Sequence, residues 1–279
     1  MRLSISSVLI AASFLILFAG QAQPQNNNIP EIIAHRGACS NAPENTLAAM
    51  KAAIDLGVKF IEIDIRMTKD GELISIHDES VSRTTNGKGA VNEHSLSEIK
   101  ILDAGSWFHE SFKNERIPTL NEVLDIIDSN TTLIIEIKED SRNMSRMIGN
   151  IIRIVKNNPS HKKIILKSFD TRILERIRKH LPEVPLIYVY GIRIPFLNFS
   201  IGSRVSFQDL FSLNVNYLQP HSLLLSEDFV KEAQTNGYKI IAWDVDGENK
   251  MKRMIDIGVD AIETDYPERL QKILKSKYK

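Results

Sequence analysis

Short apolar runs alternate with helix-like patterns from residue 31 to the end of the chain. Each run is rich in Ile, Val, Phe or Tyr and ends in polar residues, as does a strand that is buried on both faces. Gly57, Gly237 and Gly258 end three of the helical segments just before the next run. The runs that we predict to be strands are 31–35, 58–65, 132–137, 162–168, 185–190, 216–220, 238–245 and 259–264.

This alternation determines the predicted fold class. Eight predicted strands with helices between them, and no break in composition, predict an α/β fold: a (β/α)₈ TIM barrel that occupies residues 30–279 as one domain. A doubly wound open sheet shows the same alternation and is the alternative. The helical pattern is weakest between Gly191 and Asn216.

One stretch after the second predicted strand departs from the rhythm. Residues 66–77 have the pattern of a hairpin with its turn at Asp70 and Gly71. Residues 78–117 then run through turns and one short helical piece before a helix near Pro118. Long loops in compact domains usually have a function, so we expect this insertion, 78–117, to form a lid or a wall of the substrate site.

The first thirty residues differ from the rest. Arg2 is the only charged residue before Glu31, and an apolar stretch leads to small residues near Gly20 and Ala22. This pattern is typical of a secretory signal peptide, here residues 1–22, and predicts export to the periplasm or outside the cell. No stable membrane span is expected after cleavage. An uncleaved anchor is the alternative, because about eighteen apolar residues are marginal for spanning a bilayer.

Charge and cysteine content narrow the function classes. Lys and Arg together number 35, as do Asp and Glu, so no global field favours binding to nucleic acid. The single cysteine, Cys39, excludes an internal disulfide. Its place near the end of the first predicted strand suggests a nucleophile, but we interpret it as a small loop residue.

Carboxylates inside apolar strands carry the first chemical signal. Glu62 and Asp64 point to the same side of their strand, and each buried charge without compensation costs several kcal/mol, roughly. Glu136 lies near the end of another apolar strand, with Lys138 on the same face. Parallel strand ends converge on one rim of a barrel, so the three acids can meet. Three carboxylates without a thiol favour one divalent metal ion, Mg²⁺ or Ca²⁺, over simple neutralisation by Arg or Lys.

Two histidines occupy equivalent places at strand ends. His35 ends the first strand and His77 ends the hairpin, so together they form a plausible general acid and base. Arg36 is suited to phosphate, because its guanidinium makes two-point contact with phosphate oxygens. His221, after a later strand, is a further candidate for the border of the same pocket.

These residues belong to a series of motifs that resembles the glycerophosphodiester phosphodiesterase family. The series keeps the family's order over nearly all of the chain after the signal segment, with the insertion in its place. Barrel phospholipases of the sphingomyelinase D type share the acids and histidines but lack that insertion. The motifs are HRG (35–37), PENT (43–46), EIDIRMTKDG (62–71), HD (77–78), ERIPTL (115–120), EIK (136–138) and GVDAIETDYP (258–267).

The resemblance implies a TIM barrel and a set of residue roles. It implies that Glu62, Asp64 and Glu136 bind the metal ion. It also implies that His35 and His77 are the catalytic acid and base. The implied reaction is the metal-dependent hydrolysis of glycerophosphodiesters to glycerol 3-phosphate and an alcohol. In this reaction a glycerol hydroxyl attacks phosphorus before water does, so no residue of the protein acts as a covalent nucleophile.

The resemblance also implies the substrate contacts. Arg36 matches the phosphate-binding arginine, Lys138 a lysine of the same pocket, and Trp243 an aromatic wall. Many members have Thr after that tryptophan where this chain has Asp244, a departure at the pocket for the alcohol. Three alternatives remain: a lysophospholipase D, an exported barrel that binds phosphodiesters without cleaving them, and a carboxylate glycosidase. The last would leave the paired histidines without a role.

Overall fold

A computed structural model describes residues 29–138, 143–158, 163–191 and 214–278 of the 279-residue chain. The predicted signal peptide lies outside these ranges, as does most of the weakly patterned segment between Gly191 and Asn216. No helix in the four ranges has both the length and the apolar character that crossing a membrane requires.

Strands and helices alternate as the apolar pattern predicts. The strands are β1 (Glu31–Ala34), β2 (Phe60–Met67), β3 (Leu73–Ser75), β4 (Thr132–Ile137), β5 (Ile164–Ser168), β6 (Leu186–Tyr190), β7 (Tyr217–Pro220), β8 (Lys239–Ala242) and β9 (Ala261–Thr264). The helices are α1 (Leu47–Asp55), α2 (Leu96–Lys100), α3 (Leu120–Ile126), α4 (Met144–Asn157), α5 (Thr171–His180), α6 (Glu227–Thr235), α7 (Glu248–Asp256) and α8 (Pro267–Lys277).

The parallel strands close into a barrel. Their order is β1-β9-β8-β7-β6-β5-β4-β2, and β2 also pairs with β1, so the sheet has no parallel edge. This closure confirms the TIM barrel and excludes the open doubly wound sheet. β3 stands outside the ring and pairs antiparallel with the last residues of β2, which confirms the predicted hairpin.

Two layers of apolar side chains fill the barrel at the amino ends of its strands. One layer contains Ile33, Ile134, Ile187 and Ile241, and the other contains Phe60, Ile165, Tyr217 and Ala261. Side chains alternate between the two faces of a strand, so the next inward positions lie two residues further along. On β2, β5, β7 and β9 these positions are Glu62, Lys167, Gln219 and Glu263. On these four strands the interior therefore changes from hydrocarbon to polar side chains within one layer, and three of the four are charged.

The insertion packs around its own apolar cluster. Val81, Val91 and Ile99 from the insertion contact Ile74 and Ile76 from the hairpin, and all five are buried. A separate and larger core joins the barrel wall to the surrounding helices. Residues 78–117 are thus a small folded unit attached beside the mouth of the barrel.

Candidate active site

The three acids predicted to bind a metal meet at the carboxyl ends of two neighbouring strands. Glu62 and Asp64 lie on β2 and Glu136 on β4, where Asp64 pairs in register with Glu136. One ligand oxygen of each lies within 4.8 Å of the others, and all three side chains are buried. The predicted convergence is therefore present. A cluster of hard oxygens suits Mg²⁺ or Ca²⁺.

Two buried lysines join this cluster. Lys138 Nζ contacts Glu136 and lies 2.7 Å from Asp64 Oδ1. Lys167 Nζ lies 3.1 Å from Glu62 Oε1, 3.2 Å from Glu136 Oε2 and 2.9 Å from Glu263 Oε1. The acids therefore have lysine partners, as the simpler interpretation of their buried charge requires. They also have the spacing that a metal ion would need.

The lysines do not balance the cluster. Four carboxylates, those of Glu62, Asp64, Glu136 and Glu263, contact three permanent cations among the described residues, namely Lys138, Lys167 and Arg36. Burial raises the pKa of Glu62 to about 7, and the carboxylates of Asp64 and Glu263 add to the rise although Lys167 opposes it. Burial and the neighbouring carboxylates thus disfavour the ionised form of Glu62, and a divalent cation beside it would stabilise that form, so the residues present fit a metal ion.

Asn45, in the loop before α1, fixes Asp64 from the side. Its Nδ2 donates to Asp64 Oδ2 at 2.8 Å, and its Oδ1 accepts from the backbone N–H of Asp64 at 3.0 Å and from Ser75 Oγ at 2.9 Å. Asn45 adopts φ +59°, a left-handed conformation that asparagine tolerates better than most residues. The PENT motif thus has a structural role: its asparagine orients Asp64, one of the three predicted metal ligands.

Each of the predicted catalytic histidines has its own carboxylate. His35 Nδ1 lies 2.6 Å from Asp265 Oδ1, and His77 Nδ1 lies 2.7 Å from Asp78 Oδ1. A carboxylate bonded to Nδ1 sets the tautomer and leaves Nε2 for proton transfer. Both rings are partly exposed, with 26% of the His35 and 35% of the His77 side chain accessible.

The two histidines have opposite pKa shifts. Burial and Arg36 lower the pKa of His35, but the hydrogen bond to Asp265 and the charges of Glu62 and Glu263 outweigh them and raise it to about 9. Burial and the ammonium of Lys138 lower the pKa of His77. At neutral pH His35 is therefore protonated and His77 neutral, which is the pairing that an acid and a base require.

The predicted phosphate ligand, Arg36, sits in a tight turn after β1. Arg36 has φ +55° and Gly37 has φ +84°, and a Cβ on Gly37 would lie 2.7 Å from Ala49 Cβ. The turn lets the Arg36 backbone N–H donate to Glu62 Oε2 at 3.1 Å. The guanidinium lies 3.2 Å from Asp64 Oδ2, so it is held beside the predicted metal ligands.

The opposite side of the mouth is aromatic. Trp243, just after β8, packs edge-on against Phe169, at 5.7 Å between ring centroids, and against His221 at 5.1 Å. His221 thus packs against Trp243, the residue that the resemblance implies to be the aromatic wall. Asp244, which stands where many family members have Thr, has φ +58°. Its carboxylate Oδ2 lies 3.5 Å from His221 Nε2, so His221 is its partner.

Cys39 has no sign of an activated thiol. Burial and the nearby carboxylate of Asp265 raise the pKa of the Cys39 thiol. A nucleophilic cysteine needs a lowered pKa, so the interpretation as a small loop residue is consistent with this environment.

Several residues of the site were not singled out in the sequence. Lys167 and Glu263 carry the same signal as Glu62, a charge at an inward position of an apolar strand, and were predictable on that ground. Asp265, 230 residues from its partner His35, and Asn45 carried no comparable signal, since each acts from a loop.

A model of the glycerophosphoryl diester phosphodiesterase family matches residues 35–269. The chain is 39% identical over 247 residues to a glycerophosphodiester phosphodiesterase of Caldanaerobacter subterraneus, covering 88% of this chain and 97% of that protein. It is 30% identical over 289 residues to a glycerophosphodiester phosphodiesterase of Bacillus subtilis, covering 94% of each.

Solved structures agree with these sequence relatives. A phosphodiesterase of Oleispira antarctica, solved in complex with the product sn-glycerol-3-phosphate, superposes with a TM-score of 0.80 at 30% identity and covers 88% of this chain and 97% of its own. A glycerophosphodiester phosphodiesterase of Parabacteroides distasonis gives a TM-score of 0.74 at 27% identity, covering 90% and 98%.

Proposed function

The chain belongs to the glycerophosphoryl diester phosphodiesterase family, and from this premise we infer that it hydrolyses glycerophosphodiesters to glycerol 3-phosphate and an alcohol. One observation carries the inference: Glu62, Asp64 and Glu136 converge on the rim that also holds His35 and His77. The Oleispira antarctica relative binds sn-glycerol-3-phosphate as its product, which supports the same product here.

The residue roles follow from this geometry. Glu62, Asp64 and Glu136 would hold one divalent ion, either Mg²⁺ or Ca²⁺. Such an ion, when bound, neutralises phosphate charge and orients the reacting oxygens. Arg36 binds two phosphate oxygens in a two-point contact, and Lys138 adds a second positive charge at the same oxygens. Trp243 forms the apolar wall against the carbon skeleton of the substrate.

The proton transfers are assigned by the pKa shifts. His77, neutral at pH 7, takes the proton of a glycerol hydroxyl as that oxygen bonds to phosphorus. His35, protonated at pH 7 and held by Asp265, gives its proton to the departing alcohol. The product of this step is a cyclic glycerol phosphate. Water then opens the ring with the two roles reversed, which restores both histidines and releases glycerol 3-phosphate.

The test is a product assay on a panel of substrates. Glycerophosphocholine, glycerophosphoethanolamine and glycerophosphoglycerol are each incubated with the protein after EDTA treatment and again with Mg²⁺ or Ca²⁺ restored. We expect glycerol 3-phosphate only when a metal is present. Glu62→Gln is the matched variant, because it keeps the side-chain volume and removes the charge. Turnover that survives both EDTA and this substitution would contradict the proposal.

A lysophospholipase D reading is tested in the same experiment. Lysophosphatidylcholine is added to the panel, and choline release is compared with that from glycerophosphocholine. Faster release from the lysophospholipid would replace the proposed substrate class while keeping the chemistry.

We also propose that the protein is exported and loses residues 1–22. The support is the single Arg2, the apolar stretch and the small residues near Ala22. Mass spectrometry of the mature protein from cell fractions tests this. An intact Met1 in the cytoplasmic fraction would refute it.

A further inference from the structure

The guanidinium of Arg83, in the insertion, contacts two carboxylates from different parts of the chain. Towards Asp78, its Nε donates to Oδ2 at 2.6 Å and its Nη2 to Oδ1 at 3.2 Å. Towards Glu44, in the loop before α1, its Nη1 donates to Oε2 at 2.8 Å and its Nη2 to Oε1 at 2.8 Å. Both contacts are two-point, the geometry in which arginine binds carboxylates most strongly.

Each of these carboxylates also holds a residue of the proposed active site. Glu44 Oε1 accepts a hydrogen bond from Arg36 Nη1 at 2.9 Å. Asp78 Oδ1 lies 2.7 Å from His77 Nδ1. Arg83 Nη2 contacts the same two oxygens, Glu44 Oε1 and Asp78 Oδ1. A continuous series of charged contacts therefore runs from His77 through Asp78, Arg83 and Glu44 to Arg36.

The backbone of Arg83 is held by the packed core of the insertion. Val81, two residues earlier, is fully buried in that cluster, and Thr84 and Thr85 are buried after it. Thr85 Oγ1 donates to the backbone carbonyl of Val81 at 2.7 Å, which closes the turn around Arg83. The side chain of Arg83 is 44% exposed, yet the segment that presents it is fixed.

We propose that Arg83 is a positioning residue that sets the phosphate-binding Arg36 and the catalytic His77 together, through Glu44 and Asp78. The proposal rests on the proposed function and gives the insertion a role as a support of the site. Without Arg83, Glu44 loses its own two-point contact, so it no longer holds the Arg36 guanidinium in one orientation towards phosphate. Asp78 also loses its two-point contact, so it no longer holds the His77 ring in one orientation.

The experiment tests separately the two branches that meet at Arg83: Asp78 with His77, and Glu44 with Arg36. Arg83→Gln is compared with Asp78→Asn, which removes only the His77 branch, and with Glu44→Gln, which removes only the Arg36 branch. Arg116→Gln is the matched control, because Arg116 is an arginine of the insertion whose Nη1 donates to the Leu102 carbonyl, away from both branches. The readouts are kcat on glycerophosphocholine and the calorimetric Kd of inorganic phosphate with Mg²⁺ present.

We expect Arg83→Gln to lower kcat and to weaken phosphate binding, each by about tenfold to a hundredfold, the range for a lost charge-assisted contact. Asp78→Asn should lower kcat alone and Glu44→Gln should weaken phosphate alone, while Arg116→Gln changes neither by more than about twofold. Arg83→Lys should recover part of both losses, since lysine restores the charge without the two-point geometry. The double variant Arg83→Gln/Asp78→Asn should have the kcat of the poorer single variant.

The proposal is overturned if Arg83→Gln keeps both values within about twofold of the wild type, or if its phosphate affinity is unchanged while kcat falls. If Arg83→Gln does not fold, as judged by its melting temperature, the phosphate affinities of Glu44→Gln and Arg83→Lys test the proposal instead. Unchanged phosphate affinity in both of these variants overturns the proposal. Phosphate binding is measured without turnover, so a wild type that fails to hydrolyse the diester refutes the proposed function separately.

Discussion

The barrel interior contains two regions that differ in chemistry although the same strands build both. At the amino ends the inward side chains are hydrocarbon, as in Ile134 on β4 and Ile165 on β5. Two residues further along, the same strands present Glu136 and Lys167, which are equally buried. Buried hydrocarbon stabilises the fold, whereas a buried ion pair gives little stability and makes the removal of either partner costly. This comparison indicates that the apolar layers at the amino ends of the strands stabilise the closed barrel. The charged residues nearer the carboxyl ends serve the reaction.

The largest expected effect tests this division directly. Asp64→Asn removes one metal-ligand charge, and we expect kcat/KM to fall by about 10³-fold or more, since a metal ion supplies several kcal/mol of charge stabilisation. The free energy of unfolding should fall as well, because Lys138 and Arg36 both lose a buried carboxylate partner. Steady-state kinetics and urea unfolding measure the two quantities.

Ile187→Ala is the matched substitution in the apolar layers at the amino ends of the strands. It should lower the free energy of unfolding by about 2–5 kcal/mol through the cavity that it leaves. The kcat of the folded fraction should stay within about threefold of the wild type. A large loss of kcat in Ile187→Ala would show that the two regions do not divide the work in this way.

The histidines should have the next largest effect. His35→Ala or His77→Ala should lower kcat by about 10²–10⁴-fold, the range for a lost general acid or base. His180→Ala is the control, because that ring is exposed on α5 and bonds to the Arg176 carbonyl. Full activity of both histidine variants would remove the proton-transfer part of the proposed function and leave the metal site untouched.

The third prediction concerns the cost of charge inside the barrel. Lys167→Met leaves Glu62 and Glu263 without their cation, and we expect the free energy of unfolding to fall by about 3–5 kcal/mol. Lys167→Met/Glu263→Met should recover part of that loss, because Glu263 is then replaced by hydrocarbon while Glu62 still lacks its cation. Urea unfolding of both variants measures the difference.

Lys231→Met provides the surface comparison for Lys167. Lys231 pairs with Glu227 on the exposed face of α6, so its loss should leave the free energy of unfolding almost unchanged. A double variant less stable than Lys167→Met alone would mean that Glu263 stabilises the fold in some way other than through its lysine.

How well the sequence predicts the position of a site residue depends on whether that residue lies in a strand or in a loop. Strand periodicity places Glu62 and Asp64 on one face, and barrel closure brings Glu136 to them, so these positions follow from pattern and topology. Loop contacts follow no period. Asp265 reaches His35 from the far end of the chain, and Arg83 reaches Glu44 from the insertion. The reactive groups are thus predictable from the strands, whereas the residues that orient them depend on loop conformation.

The smallest predicted effect is a shift in pH dependence. Because His77 must be neutral and His35 protonated, the plot of kcat/KM against pH should rise below pH 6.5 as His77 loses its proton and fall near pH 9 as His35 loses its own. Asp265→Asn removes the hydrogen bond that raises the pKa of His35, so the alkaline limb should move to lower pH. The acid limb should stay in place, since Asp78 still holds His77.

The same substitution changes the pH dependence of stability in a definite direction. A histidine whose pKa is raised in the folded state stabilises the fold fully below its unfolded pKa of about 6.5, and this stabilisation is lost as the pH rises through its folded pKa. In the wild type that window extends from about 6.5 to about 9. In Asp265→Asn the difference in unfolding free energy from the wild type should therefore be largest at pH 6 and should shrink towards pH 9. A constant difference across this range would show that Asp265 stabilises the fold without acting on the proton of His35, and the acid role of that histidine would then lose its electrostatic basis.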